Sequence, residues 1–154
     1  MDFHAPDNHE VRDKSLFSHK FNGAGWRYEV AVAVGSGHIV SIVGPFKAGA
    51  ANDLAIYRQV TKKFLVKGGK VLADRGYRGD ETVLTNYDDG ISHVEKAIRG
   101  RLLANHERVN GQLKKWACLN VKRFRHNAET HSDFLHAVAV MTQLRFTAKR
   151  GLFD

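Results

Sequence analysis

Arg27 to Val34 alternates along an extended chain. Tyr28, Val30, Val32 and Val34 fall on one side, and Arg27, Glu29, Ala31 and Ala33 on the other. Gly35-Ser36-Gly37 is a turn, and His38 to Val43 is a second β-rich run that stops at Gly44-Pro45. Together they predict an antiparallel hairpin. Asn52 is placed as an N-cap, and Leu54, Tyr57, Val60 and Phe64 or Leu65 then recur at helical spacing until Gly68-Gly69. The short apolar run Lys70 to Ala73 predicts a strand that ends on Asp74, after which Gly76 turns the chain away. Residues 78–98 are polar and mixed. Asp80, Glu81, Asp88 and Asp89 read there as a solvated loop with room for one helical turn.

Residues 99–117 predict a helix with Leu102, Leu103, Val109, Leu113 and Trp116 apolar; Gly111 weakens it by about 1 kcal/mol relative to Ala. Leu119 to Arg125 reads as an extended basic link. Thr130 to Phe146 is the most regular helix. Thr130 and Asp133 are spaced as a capping box, and Phe134, Ala137, Val138, Met141 and Leu144 form one apolar stripe, read as core. Residues 1–20 show no period and read as an irregular arm, with Asp2 to Ala5 as the tail of a strand. A hairpin followed by helix, strand, loop and two helices argues for a mixed α/β fold, a mixed sheet with flanking helices.

Composition narrows the class. At 154 residues and 43% hydrophobic content the chain suits one domain with a proper core. It has no apolar run near the ~20 residues of a membrane span, and Met-Asp-Phe-His does not start a signal peptide. One cysteine, Cys118, excludes an internal disulfide framework and a structural zinc pattern. The net charge is +8 and points to an anionic partner, with nucleic acid first. The excess is concentrated: Lys114, Lys115, Lys122, Arg123 and Arg125 lie close together, just after Arg99, Arg101 and Arg108. Clustering favours a phosphate-facing surface over a merely solvated one.

The acids supply the candidate chemistry. Asp74 at a strand end, next to a glycine turn, is a common way to hold a carboxylate over a cleft, although most Asp-x-Gly sequences are ordinary turns. Glu107 lies on the predicted helix, with Asn110, Gly111 and Lys114 following at i+3, i+4 and i+7 on the same face. By itself it reads as an exposed helix acid pairing with Lys or Arg. Two such acids could supply hard oxygen ligands to Mg2+ or Mn2+ in two-metal phosphoryl chemistry, with Lys114 near a phosphate. Gly35-x-Gly37 lacks the rest of a dinucleotide fingerprint, and no Gly-x-Ser-x-Gly elbow exists.

At this point the residues resemble a known family. Ser18 to Gly23, Arg27 to Val30, Gly44-Pro45-Phe46 and Gly49 to Asp53 look like the early catalytic core of the PIF/Harbinger-like DDE transposases. Ala73-Asp74-Arg75-Gly76-Tyr77 resembles that family's second catalytic motif. Arg101 to Lys114, with Glu107 followed by Asn110-Gly111 and Lys114, resembles the third. Phe124-Arg125-His126 and Leu152-Phe153-Asp154 match the usual tail. The resemblance implies a ribonuclease H-like fold and a magnesium- or manganese-dependent endonuclease and strand-transfer activity on DNA. It makes Asp74 the second catalytic acid and metal ligand, Glu107 the third, and Asp53 a structural residue at the start of the first helix.

The resemblance departs at the front. The family's first catalytic Asp leads an Asp-Gly-x-Asp-Phe-like run, and Asp2-Phe3-His4 resembles only the end of it. Asp2 is the available substitute as catalytic acid and metal ligand, but three residues along a strand is ~10 Å and reverses the facing side. The expectation is a transposase core that lacks the start of its first strand and the family's amino-terminal DNA-binding helices. A homo-oligomer and a separate DNA-binding partner are then natural companions. Lys114, Lys115, Lys122, Arg123 and Arg125 are expected to bind DNA; Lys122 to Arg125 also reads as a nuclear signal. Three readings follow. The first is an active metal-dependent DNA endonuclease or transposase domain; the second is an inactive DNA- or protein-binding remnant of one. The third is a soluble α+β domain whose acids are ordinary surface groups.

Overall fold

The computed structural model describes residues 1–4, 14–19, 22–50, 52–120 and 127–148. They form a mixed α/β structure in two compact units, one of residues 1–51 and 109–154 and one of residues 52–108. Lys122, Arg123 and Arg125 of the expected basic surface, and the tail motifs, lie outside the described residues.

The first unit is assembled on β3 (Gly23–Val32). β1 (Asp2–His4), β2 (Phe17–Ser18) and β4 (Ile39–Lys47) all pair with it antiparallel. The predicted hairpin is therefore present, but β4 runs through Gly44-Pro45 and ends at Lys47. Gly44 has φ +145°, and a Cβ there would stand 2.6 Å from Tyr28 Cδ1 and 2.8 Å from the Arg27 carbonyl, so only glycine lets β4 lie this close. Alternation predicts one buried face. Instead Trp26, Arg27, Tyr28, Glu29 and Val30 are all buried. On the polar side, Arg27 Nε and Nη2 donate to Asp2 Oδ1 and Oδ2 at 2.8 and 3.2 Å, and Ser18 Oγ donates to Asp2 Oδ2 at 3.1 Å. Pairing of β1 and β2 to the same strand thus covers a face that the period alone leaves to solvent.

α3 (Ala117–Asn120) and α4 (Ala128–Ala148) complete this unit, with α2 (His93–Lys114) entering it from Val109 onward. Its core joins Phe3, Leu16, Trp26, Tyr28 and Val30 to Leu113, Leu119, Leu135, Val138 and Ala139. Each large apolar side chain among them contributes about 1.5–3 kcal/mol when fully buried. The predicted stripe on α4 is not the face that packs into the core. Phe134, Ala137, Met141 and Leu144 are exposed, and only Val138 of that set is buried. The buried face is His131, Leu135, Val138, Thr142 and Phe146. α4 is apolar on two faces, so periodicity does not choose between them; partners do. His131 Nδ1 meets the Tyr28 hydroxyl at 2.9 Å with the rings stacked 5.5 Å apart, and Thr142 Oγ1 accepts from Trp116 Nε1 at 3.1 Å. The helix is capped three residues before the predicted capping box, with Asn127 Oδ1 accepting from Thr130 N at 2.9 Å.

The second unit holds α1 (Asp53–Gln59), a 3-10 turn Thr61–Phe64, and the parallel pair β5 (Val71–Leu72) and β6 (Val83–Leu84). Asn52 caps α1 as expected, its Oδ1 accepting from Ala55 N at 2.8 Å. The residues read as a polar loop hold β6 and the start of α2. Ser92 Oγ accepts from Glu95 N at 3.1 Å, and Ser92-x-x-Glu95 is the capping-box spacing that marks this start in the sequence.

Burial holds the His131 ring well below the ordinary histidine range, at about 4. The unfolded chain takes up the proton first, so stability is full above pH 6.5 and falls as pH drops from 6.5 towards 4. Urea denaturation over that window should show this histidine's share of the slope, approaching about 1.4 kcal/mol per pH unit. That share should vanish in His131→Gln, and an unchanged slope in the variant would refute the buried neutral ring.

Candidate functional site

β5 is two residues long, and the chain leaves it at Ala73 with Ala73 N still donating to Leu84 O at 3.0 Å. Asp74 follows in extended conformation and caps the 3-10 turn Arg75–Tyr77, its Oδ1 accepting from Gly76 N at 2.8 Å. Asp74 is exposed, and its other oxygen has no protein donor among the described residues. The turn-cap geometry of an ordinary Asp-x-Gly and an outward-facing carboxylate oxygen coexist in one residue.

Gly76 shows what lies beside it. Its φ is not in the left-handed region, so the backbone does not demand glycine. A Cβ there would stand 3.1 Å from Asp74 Oδ1 and 3.3 Å from Asp53 Oδ2. Asp53, the first residue of α1 and read from sequence as structural, therefore has its carboxylate beside that of Asp74 across the bare Gly76 Cα. At a helix start it is also favoured by the unpaired N–H groups of the first turn. No one-dimensional signal pairs residues 53 and 74; the packing of α1 against the 3-10 turn does so.

Glu107 lies on α2, exposed, with no ion pair or hydrogen bond among the described residues. The expected pairing with a neighbouring Lys or Arg is not made; Arg108 donates instead to Asn105 Oδ1 at 3.0 Å. Gly111 and Lys114 are exposed along the same helix, whereas Asn110 is buried. Lys115 is exposed at the helix end.

Other acids of this unit are taken up by the fold. Asp80 accepts from Thr82 Oγ1 at 2.7 Å, Lys62 Nζ at 2.9 Å, Thr82 N at 3.1 Å and Arg58 Nε at 3.0 Å, while Arg58 Nη2 also donates to Gly79 O. These donors, Thr82 first, hold its carboxyl far below the usual range. Asp88 accepts from Thr85 N at 3.0 Å, Thr85 Oγ1 at 2.7 Å and Arg99 Nη1 at 2.6 Å, which lowers it to about 2. Arg99, buried, also donates to Thr85 O and Glu95 Oε1. The polar stretch read as a solvated loop is thus internally bonded, because each of these acids meets a donor from α1, α2 or its own turn. In the first unit, Asp2 has a side chain only 4% exposed and is held by Arg27 and Ser18.

Among the described residues, no three of His, Cys, Asp and Glu converge as a metal cage. Two carboxylates beside the open Gly76 nevertheless fit a hard cation. Magnesium is often held by only one or two protein carboxylates, with water and substrate phosphate completing the shell. No helix of the described residues is long and apolar enough to cross a membrane.

Comparison with known families puts the chain in a class of endonucleases. The chain belongs to the family described as DDE superfamily endonuclease, whose model matches residues 1–143. No curated protein and no solved structure matches the chain.

An asparagine at position 74 can accept the same Gly76 N–H, whereas alanine cannot. Asp74→Asn should therefore melt like the parent, and Asp74→Ala should lose about 1 kcal/mol, the usual worth of such a cap. Thermal denaturation of both variants checks this, and equal losses would mean that the cap is not the structural role of Asp74.

Proposed function

We propose that the chain is a divalent-metal-dependent DNA endonuclease domain of the transposase type, acting by phosphodiester hydrolysis and strand transfer. The observation that carries this reading is the outward carboxylate of Asp74 beside that of Asp53 at Gly76, in a member of the DDE endonuclease family. Asp74 and Asp53 are the residues that would hold Mg2+ or Mn2+, and Glu107 of α2 is proposed as the third acid that the family pattern implies, although the described residues form no three-acid cluster. When bound, the ion would lower the pKa of its water and neutralise charge on the phosphoryl oxygens. The carboxylates would orient it, and Lys114, Lys115, Lys122, Arg123 and Arg125 are proposed to bind DNA phosphates. The ribonuclease H-like arrangement that the family reading implies agrees with the chain order of antiparallel β1, β3 and β4, then a helix, then β5; β5 and β6 form a two-stranded parallel sheet of their own. DNA as substrate makes the nucleus the proposed place of action.

A second reading is DNA binding without cleavage. It is favoured by Asp2, the available substitute for the family's first catalytic acid, whose oxygens accept from Arg27 and Ser18. It is favoured too by the absence of a three-acid cluster among the described residues.

Nicking of supercoiled plasmid in manganese separates the two. The parent chain should nick, chelation of the metal should stop it, and Asp74→Asn and Glu107→Gln should each lose about 10²–10³-fold, the usual cost of removing one element of charge stabilisation. A parent that binds plasmid without nicking establishes the second reading. Manganese affinity unchanged in both variants would return the acids to ordinary surface groups.

A further inference from the structure

Directly after Asp74, the Arg75 guanidinium carbon lies 5.6 Å from the centroid of the Tyr87 ring. Both side chains are exposed, Tyr87 at 52%. Four basic groups of this unit are matched to acids: Arg58 and Lys62 to Asp80, Arg78 to Asp89, Arg99 to Asp88 and Glu95. Arg75 has no ion pair among the described residues, so its charge stays available to an anion. The bland account is a surface cation–π contact of small worth. The support behind Tyr87 argues for more. Its backbone N donates to Thr85 Oγ1 at 3.1 Å; Thr85 is fully buried and bonded to Asp88, and Arg99 clamps both. A half-exposed aromatic ring is thus presented by a turn that a buried network holds rigid.

We infer that Arg75 and Tyr87 form a nucleotide-gripping platform for an unpaired DNA strand beside Asp74. Tyr87 stacks a base and Arg75 binds a backbone phosphate. Aromatic rings stack any base by its π-face, and guanidinium groups recognise phosphate while lying against an aromatic ring. The inference rests on the endonuclease reading, since a strand must be brought to the acid at position 74. It adds that the DNA held there is locally single-stranded. The pair would then act as positioning residues for the scissile phosphate.

Binding of a labelled single-stranded oligonucleotide and of the matching duplex tests this across a salt series with the full chain. Tyr87→Ala should weaken single-strand binding by roughly 5- to 150-fold, the range for one stacked base, with the salt slope and duplex binding unchanged. Arg75→Ala should reduce the salt slope by about 0.7, one phosphate contact on a single strand. Tyr87→Trp should keep affinity, and the indole fluorescence it adds should be quenched by the oligonucleotide. If the parent binds DNA and Tyr87→Ala binds both forms equally well, or the fluorescence added by Tyr87→Trp is unmoved, the platform is overturned while the endonuclease reading stands. If the parent binds neither DNA form, the endonuclease reading falls and the platform with it.

Discussion

A carboxylate can hold a metal ion only with the lone pairs that protein donors leave it. That constraint sorts the acids of this chain. Asp80 and Asp88 have their oxygens filled by Thr82, Lys62 and Arg58, and by Thr85 and Arg99. Asp2 is filled by Arg27 and Ser18. Asp74 gives one oxygen to Gly76 N and keeps the other, and Glu107 has no protein partner among the described residues. The filled acids are structural and their donors hold the turns in place.

Charge follows the same division. The chain carries a formal net charge of +8, but much of the basic surface around the β5–β6 turns is neutralised locally by Asp80, Asp88, Asp89 and Glu95. The Arg78–Asp89 pair, exposed on both sides, contributes little to stability. Arg75 beside Asp74, and Lys114 and Lys115 at the end of α2, are among the cations with no ion pair in the described residues. A polyanion approaching the domain meets those groups without first having to displace an internal partner.

Membership in the DDE superfamily endonuclease family was legible in the sequence because two short motifs, each weak alone, occur in order around Asp74 and Glu107. The hairpin was legible from its period of two, and the cap at Asn52 from its residue type. The start of α2 was legible in principle, since Ser92 and Glu95 carry the capping spacing, but the polar composition of residues 78–98 masked it. β6 gave almost no signal: two apolar residues make a strand only because β5 offers them a partner. On α4 the period was clear and the face was wrong, because a helix apolar on both sides is oriented by where His131 and Thr142 find Tyr28 and Trp116.

The sequence by itself determined most element types and the family, both properties of local spacing and residue chemistry. Tertiary structure alone decided which helix face is core, which acids are saturated by donors, and that Asp53 lies beside Asp74 across the bare face of Gly76. It also decided that Arg75 lies over Tyr87. Most of those outcomes depend on contacts between residues well separated in the chain. Whether a lone pair, a ring face or a charge stays available is settled by the neighbour that packing supplies, and no local period encodes that neighbour.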